Sequence, residues 1–189
     1  MTEITETVEP LPDAVRQFVL HWGDMGGQWG VNRSVAQIHA LLYLSDRPLN
    51  AEEIAAKLGI ARSNISNSLK ELLGWKLIRR VPVMGDRREH FEAEVDLWQM
   101  LTRIAQGRKE REVDPAVNAL RVCKAEAETD PAISGTARAR IAAMHDFVMT
   151  MDGWYGDMIQ IPPARLLTLI TMGRKILNFL PKGRSSPDS

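Results

Sequence analysis

A single cysteine, Cys123, in 189 residues leaves nothing for an internal disulfide to pair with. This excludes the cross-linked framework of a small secreted domain and fits a reducing cytosol. No apolar run approaches the ~18 residues of a membrane span. Met1 to Glu9 is acidic and polar, without the basic start and apolar stretch of a signal peptide. Net charge is missing as well, since 24 Lys and Arg balance 24 Asp and Glu. A neutral chain exerts no overall pull on nucleic acid, so any such binding must rest on a local field. The parts of a metal or nucleophile site are also wanting. His21, His39, His90 and His145 are scattered, with no ligand spacing near Cys123. Gly23, Gly26, Gly27 and Gly30 follow no strand in the dinucleotide-binding pattern, and read instead as packing or hinge glycines that loosen the chain after Met25. His39 reads as a satisfied core residue, Cys123 as a buried inert thiol rather than a redox sensor, and Asp152 and Asp157 as helix-surface carboxylates rather than an acid pair. Neither an enzyme, a metal nor a cofactor is expected.

What is present is an ordinary globular composition, 44% hydrophobic and 25% charged, long enough to bury a core. Charge is unevenly spread. Residues 1–13 carry four acids and no base, whereas residues 57–90 carry eight bases against three acids, a local footprint suited to phosphate. Asp13 to about Met25 places Val15, Phe18, Val19 and Trp22 on one helical face. Ser34 to Leu44 is a second apolar helix, closed by Asp46-Arg47-Pro48.

Residues 49–94 read as one unit. Asn50 can cap a short helix whose third residue, Glu53, completes a variant capping box. Leu49 and Ile54 stand at the hydrophobic staple positions, and Gly59 ends the helix. A second helix follows at once, from about Arg62 to Trp75. This is helix-turn-helix spacing. At 100° per residue Ile65, Leu69, Leu72 and Leu73 gather on one side of that helix. Ser63, Asn64, Asn67 and Lys70 gather on the other, with Arg62 and Ser66 toward the flanks. Serine and asparagine are poor helix formers that gain nothing on a plain solvent face, whereas their short donors and acceptors suit base edges.

A basic hairpin comes next. Leu77 to Val81 is rich in strand formers, Met84-Gly85-Asp86-Arg87 has turn chemistry, and His90 to Val95 alternates polar with apolar. Arg87 and Arg88 sit at or beside the tip, where a long cation can enter a narrow minor groove or meet phosphate. Asp86 is either a plain turn residue or the group that orients one of these guanidiniums.

From about Gly26 to Val95 the sequence resembles the GbsR/MarR-type winged-helix transcriptional regulators. The resemblance is carried by Leu49-Asn50-Ala51-Glu52-Glu53-Ile54-Ala55, by Ser63-Asn64-Ile65-Ser66, and by Gly85-Asp86-Arg87-Arg88 followed by Phe91-Glu92-Ala93. It implies a cytoplasmic homodimer that binds a near-palindromic operator and represses transcription. Two positions depart from the pattern. Ala61 stands where a capping serine is expected, with Ser63 or a phosphate oxygen available as substitutes, and His90 stands where tyrosine is commoner.

The C-terminal half reads as an interaction module. Leu97, Trp98, Leu101 and Ile104 form an apolar stripe entering a long helix, and Asp114-Pro115 and Asp130-Pro131 read as capped helix restarts. Ile141 to Ile159 and Arg165 to Phe179 read as further helices. Their apolar surplus suggests dimerisation. Trp22, Trp29, Trp98, Trp154 and Tyr155 could instead cage a cationic small-molecule effector, since aromatic faces attract quaternary ammonium groups.

The expected fold is therefore mainly α: a winged helix-turn-helix with a small β-hairpin wing, plus a helical dimerisation region. The expected divisions are an N-terminal helix and arm for dimerisation (1–30), the DNA-binding domain (31–95), a dimerisation and effector region (96–180) and a disordered tail (181–189). The expected function is a sequence-specific regulator of transcription, bound to double-stranded DNA through Arg62, Ser63, Asn64, Ser66, Asn67, Lys70, Arg87 and Arg88. The rival is a winged helix used for protein contact without DNA. An effector-binding protein that has lost its operator is a third reading.

Overall fold

The computed structural model describes residues 10–162 together with 165, 166, 168, 169 and 171–173. The segments 1–9 and 181–189, and most of the helix expected over residues 165–179, lie outside the described residues. Contacts divide the chain into two units, separated between Gly107 and Arg108. Among the described residues no helix is long and apolar enough to cross a membrane.

In the first unit, α1 (Asp13–Gln28) packs on α2 (Arg33–Tyr43). The short strand β1 (Leu49–Asn50) leads into α3 (Ala51–Leu58), and α4 (Arg62–Gly74) follows, then the hairpin β2 (Ile78–Val83) and β3 (Asp86–Ala93), then α5 (Leu97–Arg108). The sheet is antiparallel in the order β1-β3-β2. β1 has no signature of its own in the sequence. It exists because Leu49 and Asn50 pair with Phe91 and His90. Pro82 falls where the register slips, between Val81 and Val83 of the edge strand, a place that needs no ladder donor. Ile38, Ile54 and Ile65 are fully buried, and with Val19, Val35, Leu41, Leu49, Leu72, Phe91 and Met100 they form one core. The N-terminal helix is thus part of the winged helix's own core.

The capping box at α3 has its full set of bonds. Asn50 Oδ1 accepts from the amides of Glu52 and Glu53, and Glu53 returns a carboxylate oxygen to the Asn50 amide. Gly59 closes that helix at φ 64°. The end of α4 was not marked by a glycine at the turning point. Lys76 takes φ 58° there, its amide bonding the Leu73 carbonyl while the Leu77 amide reaches Leu72, the double closure of a Schellman motif.

The glycines after residue 22 meet expectation only in part. Gly23, Gly26 and Gly27 do not loosen the chain at Met25 but lie inside α1, and the packing part of the expectation holds for Gly23 and Gly26, which stand close against α2. A Cβ built on Gly26 would lie 2.6 Å from Cβ of Ala36, whereas one on Gly27 meets nothing within 4 Å. Ala36 cannot swing aside, so Gly26→Ala is expected to destabilise the fold by roughly 1–2 kcal/mol despite better helix propensity. Gly27→Ala should stabilise it by about 0.5–1 kcal/mol. Denaturant titration of both variants checks the pair, and a stabilising Gly26→Ala would contradict the close crossing.

The apolar stripe read at the start of α5 is corrected in its membership. Met100 is the buried side chain and Ile104 packs partly on the core, while Leu97 and Leu101 are 62% and 53% exposed. Met100 and Ile104 are four residues apart and share the inward face.

The second unit holds a π-helical turn (Lys109–Val113), α6 (Asp114–Thr129) and α7 (Gly135–Gln160). The expected caps differ. Asp114 caps nothing and pairs with Lys109. Asp130 ends α6, its carboxylate taking the Ala132 amide, and the next helix starts only at Gly135, capped by Ser134. Proline at 131 therefore sits in a turn. Lys109 also reaches Asp152 at 2.7 Å, and Lys124 reaches Asp146 at 3.0 Å; both pairs tie α7 to the segment before it. Cys123 is exposed on α6, not buried as expected.

Candidate nucleic-acid interface

Ile65, Ser68, Leu69 and Leu72 seat α4 in the core. That choice of face turns Arg62, Ser63, Asn64, Ser66, Asn67 and Lys70 outward, and all six are exposed. Ala61 precedes the helix, and no side chain caps it, Ser63 included. The six are not equally available. Asn64 donates its Nδ2 to Oγ of Ser34 at 3.0 Å, while the side chains of Ser63 and Asn67 have no hydrogen bond among the described residues. Lys70 has no ion pair among them either.

The wing is stiffened from within. Gly85 supplies the positive φ, 82°, that its turn requires. Asp86 accepts from the Arg88 amide at 2.9 Å and from its Nε and Nη2 at 2.9 and 2.5 Å. Asp86 is thus both turn residue and guanidinium holder. Side-chain hydrogen bonding from Arg88 is the main reason its carboxyl is pushed down to about 2, and the same contacts raise Arg88. His90 is buried beneath, Nδ1 3.0 Å from the Arg88 carbonyl and Nε2 3.5 Å from Asp86. Arg87 is exposed and has no ion pair among the described residues. Between α4 and the wing lies an open cleft of about 330 Å³, bordered by Glu52, Arg62, Ser66, Lys70, Arg80 and Arg88.

The basic footprint is weaker than a window on residues 57–90 suggests. Arg62 pairs with Glu52 at 3.1 Å, Arg80 with Glu89 at 2.8 Å, Arg88 with both Asp86 and Glu52, and Arg79 with Glu92. Glu52, Glu53 and Glu92 fall just outside that window; over residues 52–92 eight bases face six acids. Glu52 and His90 are the two residues of the site that sequence reasoning missed. Glu52 sits inside a capping motif that already explained its surroundings, and the alternation of β3 placed His90 with the polar set, whereas the structure buries it beside Phe91.

Of the five aromatics expected to form a cage, Trp22 borders a small, partly open apolar cavity of about 210 Å³ with Phe18, His39, Tyr43, Leu97 and Met100. Trp22 stacks on Phe18 with centroids 5.5 Å apart. Trp29 is exposed at the end of α1 and Trp98 half-buried on α5, while Trp154 and Tyr155 belong to α7 of the other unit. His39 corrects the expectation of a satisfied core residue. It is 4% exposed, yet its Nε2 has no hydrogen-bond partner, and burial lowers its pKa to about 4, so the ring is neutral. Among the described residues no three His, Cys, Asp or Glu side chains converge as a metal site.

Residues 29–89 match the MarR family. Over 98 residues the chain is 26% identical to the HTH-type transcriptional repressor GbsR of Bacillus subtilis (strain 168), covering 52% of this chain and 54% of that protein. The chain therefore spans about half the length of this curated relative. A solved structure described as a transcriptional regulator covers 78% of this chain and 96% of its own, with TM-score 0.59 and 20% identity. At that identity the likeness concerns the fold.

Proposed function

We propose that this chain is a regulator of the MarR/GbsR type, the kind its winged helix is similar to, and that it is a sequence-specific, double-stranded-DNA-binding repressor of transcription. It acts in the cytoplasm as a homodimer on a near-palindromic operator. The observation that carries this reading is the pairing of two unengaged surfaces. Ser63, Asn67 and Lys70 stand exposed on α4, and Arg87 stands exposed on the wing with no ion pair among the described residues. The first set suits base edges in the major groove, and the second suits phosphate or the minor groove. Exposed Leu97 and Leu101 on α5, and Met144, Phe147, Met151 and Trp154 on α7, support dimerisation. Two-fold symmetry then sets half-sites about 10 base pairs apart. A small apolar effector is the further part of the reading, supported by the cavity beside Trp22 with its unpartnered His39 nitrogen.

The test is binding of the purified protein to random duplex DNA across a salt series, with selection of the bound fragments. Salt-sensitive binding that enriches a palindrome is the expected result. In the same series Arg87→Ala should weaken binding and reduce the slope of log K against log salt by about one; an unchanged slope removes Arg87 from the interface. Absence of binding at low salt, with the dimer intact, would favour the protein-contact reading. One observation already leans that way: Arg62, Arg79, Arg80 and Arg88 all have carboxylate partners within the chain.

A further inference from the structure

Three of the carboxylates that pair these bases stay within the wing, and Glu52 does not. It projects from the first turn of α3 and touches two separate elements of the interface. Its Oε1 is 3.1 Å from Nη2 of Arg62, at the start of α4, and its Oε2 is 3.3 Å from Nη1 of Arg88, on the wing. Asp86 occupies Nε and Nη2 of Arg88, which leaves Nη1 directed at Glu52. The Asn50 cap fixes the backbone from which Glu52 departs. Glu52 is 48% exposed and the two guanidiniums are more so. Ion pairs this open add little to folding. They do alter the field that DNA meets, because Glu52 and Asp86 balance the charges of Arg62 and Arg88 at the junction of helix and wing.

A carboxylate with each oxygen on a different guanidinium has the shape and charge sign of a backbone phosphate held by two arginines. We propose that Glu52 is an internal stand-in for a DNA phosphate, competing for Arg62 and Arg88 and thereby limiting sequence-independent binding. The proposal rests on the DNA-binding reading above. Random duplex is held almost wholly through phosphate contacts, so it must displace Glu52 or forgo both arginines. On either route the protein binds bulk DNA more weakly than its basic residues would otherwise allow.

The experiment measures affinity of the full chain for a random duplex against salt, for the wild type and for Glu52→Gln, Glu52→Asp and Glu71→Gln. Glu52→Gln removes the competitor. Glu52→Asp keeps the charge but is one methylene too short to span both guanidiniums. Glu71→Gln makes the same charge change on an exposed face of α4. Tighter binding by about tenfold at low salt, with the log–log slope steeper by about one to two, is expected for Glu52→Gln. Glu52→Asp should move the same way, and Glu71→Gln much less. Weaker binding by the Glu52 variants would mean that the carboxylate positions the arginines for DNA, and overturns the proposal. Equal gains for Glu52→Gln and Glu71→Gln would reduce the effect to net charge and overturn it too. Wild-type binding with unaltered Glu52 variants defeats this inference alone, whereas failure of all four proteins to bind defeats the DNA-binding reading with it. Thermal melts of the variants separate either result from misfolding.

Discussion

Ile65→Ala is expected to lower folding stability by about 2–5 kcal/mol, the range for removing a large aliphatic side chain from a packed site. Ile65 has no exposed surface and sits with Ile38, Ile54, Leu69 and Leu72 in the core of the first unit. It occupies the first turn of α4, where no side-chain cap helps to hold the helix. The loss should therefore have two readouts. The denaturation midpoint falls with its slope unchanged, and DNA affinity falls on selected and random duplex alike, since the whole helix loses its seat. A destabilisation below about 1 kcal/mol would mean that the site collapses around alanine, or that α4 is seated otherwise than described.

Asn67→Ala should do the opposite. With its side chain exposed and free of hydrogen bonds among the described residues, Asn67 contributes little to folding, and stability should change by no more than about 0.5 kcal/mol. Its amide is, however, a donor and an acceptor fixed side by side, the pairing that adenine accepts in the major groove. Its removal should relax base preference at one operator position by roughly 1–3 kcal/mol, about 5- to 150-fold, with little effect on random duplex. An equal loss on both DNAs would assign Asn67 to phosphate or to folding. Asn64 is expected to matter less at the bases, because its amide is already committed to Ser34.

Much of the first unit was legible in the sequence for a local reason. A cap, a staple, a glycine turn and an apolar face are each set by residues no more than about four apart, and the structure keeps the Asn50–Glu53 box, the Gly59 stop, the buried Ile65–Leu69–Leu72 face and the Gly85 turn. The same local reasoning failed where two elements meet. Gly26 could be read as packing or as hinge, and only Ala36 against it decides for packing. Asp114 and Asp130 looked like caps until one took a lysine and the other a turn.

The sequence by itself thus determined the order of the helices and hairpin of the first unit, the helix that turns outward and the residues it offers. Tertiary structure alone decided which charges remain available to DNA. Arg88 and Glu52 stand 36 positions apart, and no spacing rule brings them together; the antiparallel pairing of β1 with β3 does, by laying the start of α3 beside the wing. Charge along a chain can be counted, but the field at a surface depends on distances in space, which only the fold sets.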